Sequence, residues 1–236
     1  MPPGKRSRPH RILFITGTDT GVGKTVLTVL LARNLEASGF RVSVFKPISS
    51  GRRDDARALR SALARRPPLD AINPWHFSSG VAPLLAARRA RRFIPRTAVL
   101  AHIRRHAKCA DVVLVEGAGG LLSPLGEDLD SRTLLRTLRA VPIVVCPNRL
   151  GAINQARLAL EALPKANRPK AVLVLVDPGS RDASSSSNAR LLADYLDSRR
   201  IIVLPWIQRW TRRGACNRPD LRQALARLVS ATLPMP

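Results

Sequence analysis

The chain is predicted to be one α/β domain: a mainly parallel sheet with helices on both faces. Three observations carry that expectation. Short apolar runs rich in β-branched residues recur along the chain, stretches with helical apolar spacing separate them, and 236 residues at 45% apolar content suffice for one sizeable core.

The runs are RILFIT (11–16), RVSVFK (41–46), DVVLVE (111–116), VPIVVC (141–146), KAVLVLV (170–176) and IIVLP (201–205). Charge falls only at their ends, as expected of strands buried on both faces. After the first run, Leu27, Leu30, Leu31 and Leu35 form the stripe of a helix over 25–38. Leu221, Leu225, Leu228 and Val229 do the same over 219–231. Residues 52–108 contain no clear strand and hold 14 basic residues against Asp54, Asp55 and Asp70. They read as helices and loops inserted after the second strand. DASSSSN (182–188) reads as a flexible loop, residues 1–10 as a basic disordered tail, and 11–236 as the single domain.

Composition excludes several classes. Cys109, Cys146 and Cys216 are widely spaced with no CxxC pair, so neither a disulfide framework nor a zinc site is expected. No apolar run approaches the length of a membrane span, and no secretory leader pattern follows the basic N-terminus. A cytoplasmic protein without membrane contact is expected. The formal charge of +24 would suit a nucleic-acid partner, but only six of the 40 basic residues are lysine, an arginine bias that base composition alone can produce. Aromatic residues make up 4% of the chain, and Trp75, Trp206 and Trp210 are scattered, so any nucleic-acid binding is expected to be non-specific and salt-sensitive. His102 and His106 have metal-clamping spacing but no third ligand in the sequence pattern, and they read as a solvated helix face.

The sharpest feature is Gly17-Thr-Asp-Thr-Gly-Val-Gly-Lys24-Thr25, set between the first strand and the first helix. Glycines let backbone N–H groups turn inward, and the helix N-terminus adds its positive end. Lys24 can reach β/γ phosphates, and the Thr25 hydroxyl can ligate Mg²⁺. Five residues rather than four separate Gly17 from Gly23, so the loop is a variant of the usual spacing. A phosphoryl-transfer site also needs an acid for the metal, and Glu116 stands at a strand end where such crevices open. Asp54 and Asp55 offer a second acid, although adjacent acids among arginines by themselves suggest surface ion pairs.

These segments resemble dethiobiotin synthetases. TGTDTGVGKT (16–25) is similar to that family's modified P-loop, KPISSG (46–51) to its KPxxSG segment and VEGAGGLLSPL (115–125) to its VEGAGG segment. RLGAIN (149–154) and LPW (204–206) match as well. The resemblance implies a P-loop NTPase-type fold and an ATP- and Mg²⁺-dependent enzyme joining carbon dioxide to 7,8-diaminopelargonate. It also implies a homodimer with the site at the interface. Position by position, it implies catalytic roles for Lys24, Lys46 and Thr20, and nucleotide contacts from Asp19, Thr20, Gly21, Val22, Gly23, Lys24, Thr25, Glu116, Pro205 and Trp206. Metal ligation falls to Thr25, Asp55 and Glu116, which selects Asp55 over Asp54. Substrate contacts fall to Ser50, Gly119 and the segment Leu150, Gly151, Ala152, Ile153 and Asn154. This last group opens a helix and, in the family, comes from the partner subunit to hold the substrate carboxylate; Arg149 can add a charge-assisted contact to it.

Val176 stands where family members commonly carry an asparagine that reads adenine, which leaves a paralogue acting on a different diamine or amino acid as an alternative. A partitioning ATPase would require a lysine where Asp19 stands and a glycine where Thr20 stands. A cobyrinic-acid-type amidase would need a glutaminase domain for which 236 residues leave no room.

Overall fold

All six predicted runs lie side by side in one sheet in a computed structural model of the chain, which describes residues 11–180, 182–208, 210 and 218–233. In chain order the first elements are β1 (Arg11–Gly17), α1 (Lys24–Ala37), β2 (Val42–Phe45), β3 (Ile48–Ser50), α2 (Asp54–Ala62), α3 (Leu69–Ile72) and β4 (Trp75–Phe77). Then come α4 (Pro83–Arg89), α5 (Arg96–His106), β5 (Val112–Glu116), β6 (Pro124–Gly126), β7 (Leu129–Asp130) and α6 (Ser131–Thr137). The chain continues through β8 (Val141–Pro147), α7 (Ala152–Glu161), β9 (Val172–Val176), α8 (Asn188–Leu192), β10 (Ile201–Leu204) and α9 (Pro219–Thr232).

The main sheet runs β10-β9-β8-β1-β5-β2, and every pairing in it is parallel. Side chains that alternate along each strand divide the interior into two layers. Leu13, Ile15, Val112 and Leu114 face the layer beneath α1, α2 and α9, while Phe14, Val113 and Val115 face the opposite layer, with residues of α4, α5, α6 and α7. Burial on both faces explains why these strands read as unbroken apolar runs. On the first face, α1 lies between α2 on one side and α9 on the other. Because all six strands point the same way, their C-terminal ends share one edge, and Gly17, Lys46, Glu116 and Val176 are brought to it.

Two expectations change. The 52–108 region is not free of strands: Trp75–Phe77 pairs parallel with Ile48–Ser50 to form a small second sheet. Three residues are too few to show a period, so the strand had no signal in the sequence. Residues 182–188 form a hydrogen-bonded turn. The Asp182 carboxylate accepts from the N–H groups of Ser184 and Ser185, and buried Asn188 donates to Asn148. Residues 1–10 and most of the C-terminal departure after Trp210 lie outside the described residues.

Leu114 is fully buried in β5, between β1 and β2. Leu114→Ala is expected to lower stability by about 2–5 kcal/mol through lost burial and the cavity left behind. Urea unfolding checks this, and a midpoint equal to wild type would show that the layer is not rigidly filled.

Candidate active site

The loop from Gly17 to Thr25 is shaped by its glycines. A Cβ on Gly17 would lie 2.6 Å from Val22 Cγ2, and Gly21 and Gly23 adopt φ of 74° and 98°. Val22 is buried beneath the loop, the Thr18 N–H donates to the Val145 carbonyl, and Asp19 caps the Thr20 N–H with its own carboxylate. Helix α1 begins at Lys24 with no side-chain cap and no acid in its first turn, so free N–H groups face the loop. The buried Lys24 ammonium donates to the Asp19 carbonyl at 2.6 Å, across the concavity.

A partly buried ionic cluster lies beside it, with Lys46 and Glu116 buried and Asp55 half exposed. Lys46, just past β2, places its ammonium 2.6 Å from Asp55 Oδ2 and 2.7 Å from Glu116 Oε1. The Thr25 hydroxyl donates to the same Glu116 oxygen at 2.7 Å. Asp55 is in the first turn of α2 and turns inward, whereas Asp54 pairs with the exposed Arg52 and Arg57. The adjacent acids therefore divide into one site residue and one surface ion pair. Burial alone would lower the Lys46 pKa, but the Glu116 and Asp55 carboxylates outweigh it and hold the ammonium above the ordinary lysine value. Burial would likewise raise Asp55, yet Lys46 holds its carboxyl below the usual range. Lys24 has no such pairing, and burial together with the neighbouring Lys46 charge pushes it down to about 8.

The residues fit a hard cation. Glu116 is wholly buried and its Oε2 has no hydrogen-bond partner, while Asp55 and the Thr25 hydroxyl add oxygen donors beside it. A set of two carboxylates and one hydroxyl, completed by phosphate oxygens, suits Mg²⁺.

Above this cluster is an open cavity of about 640 Å³. It is lined by Thr20, Gly21, Gly23, Lys24, Thr25, Lys46, Ser50, Asp55 and Gly119 among the residues singled out from sequence. Gly119 has φ 66°, and a Cβ there would collide with Ser123. Ser50 donates its hydroxyl to the Val81 carbonyl, which fixes its orientation. Glu116 lies below the cavity floor, reached through Thr25 and Lys46.

Other expected residues are elsewhere. Pro205 borders a separate cleft with Asp177, and Trp206 is half exposed, its ring edge facing Gly179. Leu150 to Asn154 lie off the cavity. There the Leu150 N–H is already bound to Asp182 at 2.7 Å, the Leu150 side chain is 78% exposed, and Gly151 holds φ 89° at the start of α7. Val176 abuts the loop, within 3.5 Å of a Cβ placed on Gly23. Of the two histidines expected on a solvated face, His106 is exposed, whereas His102 is partly buried: its Nε2 meets the Ala71 carbonyl and its ring stands edge-on to Phe45 and Trp75. Among the described residues, no three acids, histidines or cysteines cluster as a metal centre.

Asn73 escaped the sequence reading. Fully buried, it donates to the Lys46 carbonyl and accepts from Ser49 and Arg53. The Ile72 carbonyl also accepts from the Lys46 N–H, so the C-terminal end of α3 secures the backbone of the central lysine. An isolated asparagine outside any motif carries no signal in one sequence.

A parallel sheet with a glycine-shaped phosphate cradle, a buried lysine and a divalent-cation donor set defines a P-loop nucleotide-binding α/β protein. Residues 11–213 match the family described as AAA domain. The dethiobiotin synthetase BioD of Anaeromyxobacter dehalogenans is 38% identical over 201 residues, covering 83% of this chain and 90% of the relative. That of Marinobacter nauticus is 33% identical over 205 residues, covering 83% and 88%. Among solved structures, the cell division protein MinD of Aquifex aeolicus is similar in fold, with a TM-score of 0.55 at 14% identity over 96% of this chain and all of that one. The chain belongs to the ATP-dependent dethiobiotin synthetase family. No helix among the described residues is long and apolar enough to cross a membrane.

Two outcomes follow from the geometry. Nucleotide phosphates favour the charged form of Lys24, so binding restores a proton that the free protein loses above about pH 8. Affinity for ADP should therefore be flat below that pH and fall above it, with proton uptake visible by calorimetry in buffers of different ionisation enthalpy. Uptake absent at pH 9 would show that Lys24 is already fully charged without nucleotide. Asn73→Ala should cost about 1–3 kcal/mol and lower turnover by loosening Lys46; unchanged turnover in the folded variant would limit Asn73 to a stabilising role.

Proposed function

We infer that this chain is an ATP-dependent dethiobiotin synthetase. With ATP and Mg²⁺ it joins carbon dioxide to 7,8-diaminopelargonate and closes the ureido ring, releasing ADP and phosphate. The observation that carries this reading is the Lys46 ammonium held between Asp55 and Glu116, beside the Lys24 cradle and open to the cavity.

The chemistry asks for little covalent work from the protein. One substrate amine takes up carbon dioxide as a carbamate, the carbamate oxygen attacks the γ-phosphate, and the second amine closes the ring by expelling phosphate. The carbamate, the substrate carboxylate and the triphosphate are all anionic, so the chain's task is to hold them together and offset the charge on the transferred group. Lys24 spans the cradle at the phosphates. Lys46, kept charged by its two carboxylates, is a fixed cation between carbamate and γ-phosphate and is no proton acceptor. Thr25, Asp55 and Glu116 would hold Mg²⁺, which when bound would supply further charge neutralisation at the phosphate oxygens. Thr20, Ser50 and the Gly119 backbone border the space left for the diamine.

We assign the substrate's carboxylate to the Leu150–Asn154 segment of a second copy, because in one chain that segment lies off the cavity. Leu158, on α7, is 63% exposed and Leu150, just before that helix, 78%, which supports a homodimer contact through this part of the chain. The cytoplasm suits the free thiols of Cys109 and Cys146 and the metabolite substrate.

Purified protein given ATP, Mg²⁺, bicarbonate and 7,8-diaminopelargonate should form dethiobiotin and ADP, and the gene should rescue a biotin auxotroph lacking this step. Folded protein with no product would end the assignment. Lys24→Ala should abolish turnover. Lys46→Ala should do the same and also cost about 3–5 kcal/mol, because Glu116 is left as a buried, unpaired charge. Near-normal turnover in either variant would remove that lysine from the reaction.

A further inference from the structure

We propose that the Trp210 indole is the wall on which the base of the bound nucleotide stacks. The proposal rests on the nucleotide reading above and assigns a residue that no motif marks.

The cavity has a direction. Along the shared strand edge the order is Lys46 after β2, Glu116 at the end of β5, the Gly17 loop after β1, and Val176 at the end of β9, next to β10. The cation that faces two carboxylates, Lys46, marks the terminal phosphate end. A triphosphate lying over Lys24 and Thr25 then carries its nucleoside toward β9 and β10. Trp210 comes from that side: it follows β10, and α9, the next described helix, flanks α1 on the side away from α2.

Trp210 lines the same cavity as Gly21, Gly23 and Val26. It is half-buried, rests on the core layer together with Val26 and Val176, and its carbonyl accepts from Arg33 of α1 at 3.1 Å. A ring packed and tied in this way is already placed for a flat partner, so little ordering cost remains on binding. The nearby Val26 and Val176 are apolar and offer a base no side-chain hydrogen bond. Trp206 is not an equivalent candidate, since its ring faces Gly179 outside the cavity lining. Base–aromatic stacking contributes about 1–3 kcal/mol, which predicts a loss of about fivefold or more on removing the ring.

The test separates base from phosphate. Trp210→Leu should weaken ADP binding and raise KM for ATP at least about fivefold, leave kcat within about twofold, and leave the affinity for inorganic tripolyphosphate unchanged; Trp210→Phe should restore most of the loss. Equal KM in Trp210→Leu, or equal weakening of ADP and tripolyphosphate, would overturn the proposal. In the Trp75→Phe, Trp206→Phe double variant, ADP should quench the remaining tryptophan while tripolyphosphate does not. Absence of that difference would also overturn it. The binding measurements need no dethiobiotin formation, so they decide this proposal even if the assignment of the reaction fails.

Discussion

The ion cluster of Lys46, Glu116 and Asp55 is the constraint on which the rest of the site depends. A carboxylate with no solvent exposure is tolerated only where a cation and hydrogen-bond donors meet it, and Glu116 has both in Lys46 and Thr25. Each of these groups comes from a different element: Lys46 follows β2, Asp55 opens α2, Glu116 ends β5 and Thr25 opens α1. The parallel sheet is therefore required for the chemistry, since only strands running the same way deliver their ends to one edge. Asn73 and Ile72, from the inserted region, complete the arrangement by fixing the Lys46 backbone.

The two lysines are electrostatically different although both are buried. Lys46 is neutralised by paired carboxylates and stays charged. Lys24 faces a carbonyl and a neighbouring ammonium, and the Glu116, Asp55 and Asp19 charges that support its charged form do not offset burial and the Lys46 charge. The P-loop end of the cavity thus favours an added negative charge, while the Lys46 ammonium is already paired with two carboxylates.

The net charge of +24 does not require a nucleic-acid partner. Two of the few acids, Asp55 and Glu116, are withdrawn into the site, and most other acids are taken up by exposed arginine pairs such as Arg41 with Asp111 and Arg88 with Glu127. Such pairs contribute little to stability. The surplus arginine forms a positive surface that attracts small anions at a rate sensitive to salt.

The sequence by itself determined the six strands, the parallel sheet and the phosphate loop, because burial on both faces writes itself as apolar runs and a turned-in backbone demands glycine at fixed places. Glu116 was legible from its place at a strand end, and the resemblance to one family then selected Lys46 and Asp55. Only the tertiary structure decided which atoms meet. Strand Trp75–Phe77 and the Asn73 fastening depend on contacts distant in sequence, and neither leaves a periodic trace. The same holds for the distance of Trp206 and Leu150–Asn154 from the cavity and for the entry of Trp210 into it. Those placements follow from how α1, α2 and α9 settle on the sheet, a packing result that no local spacing encodes.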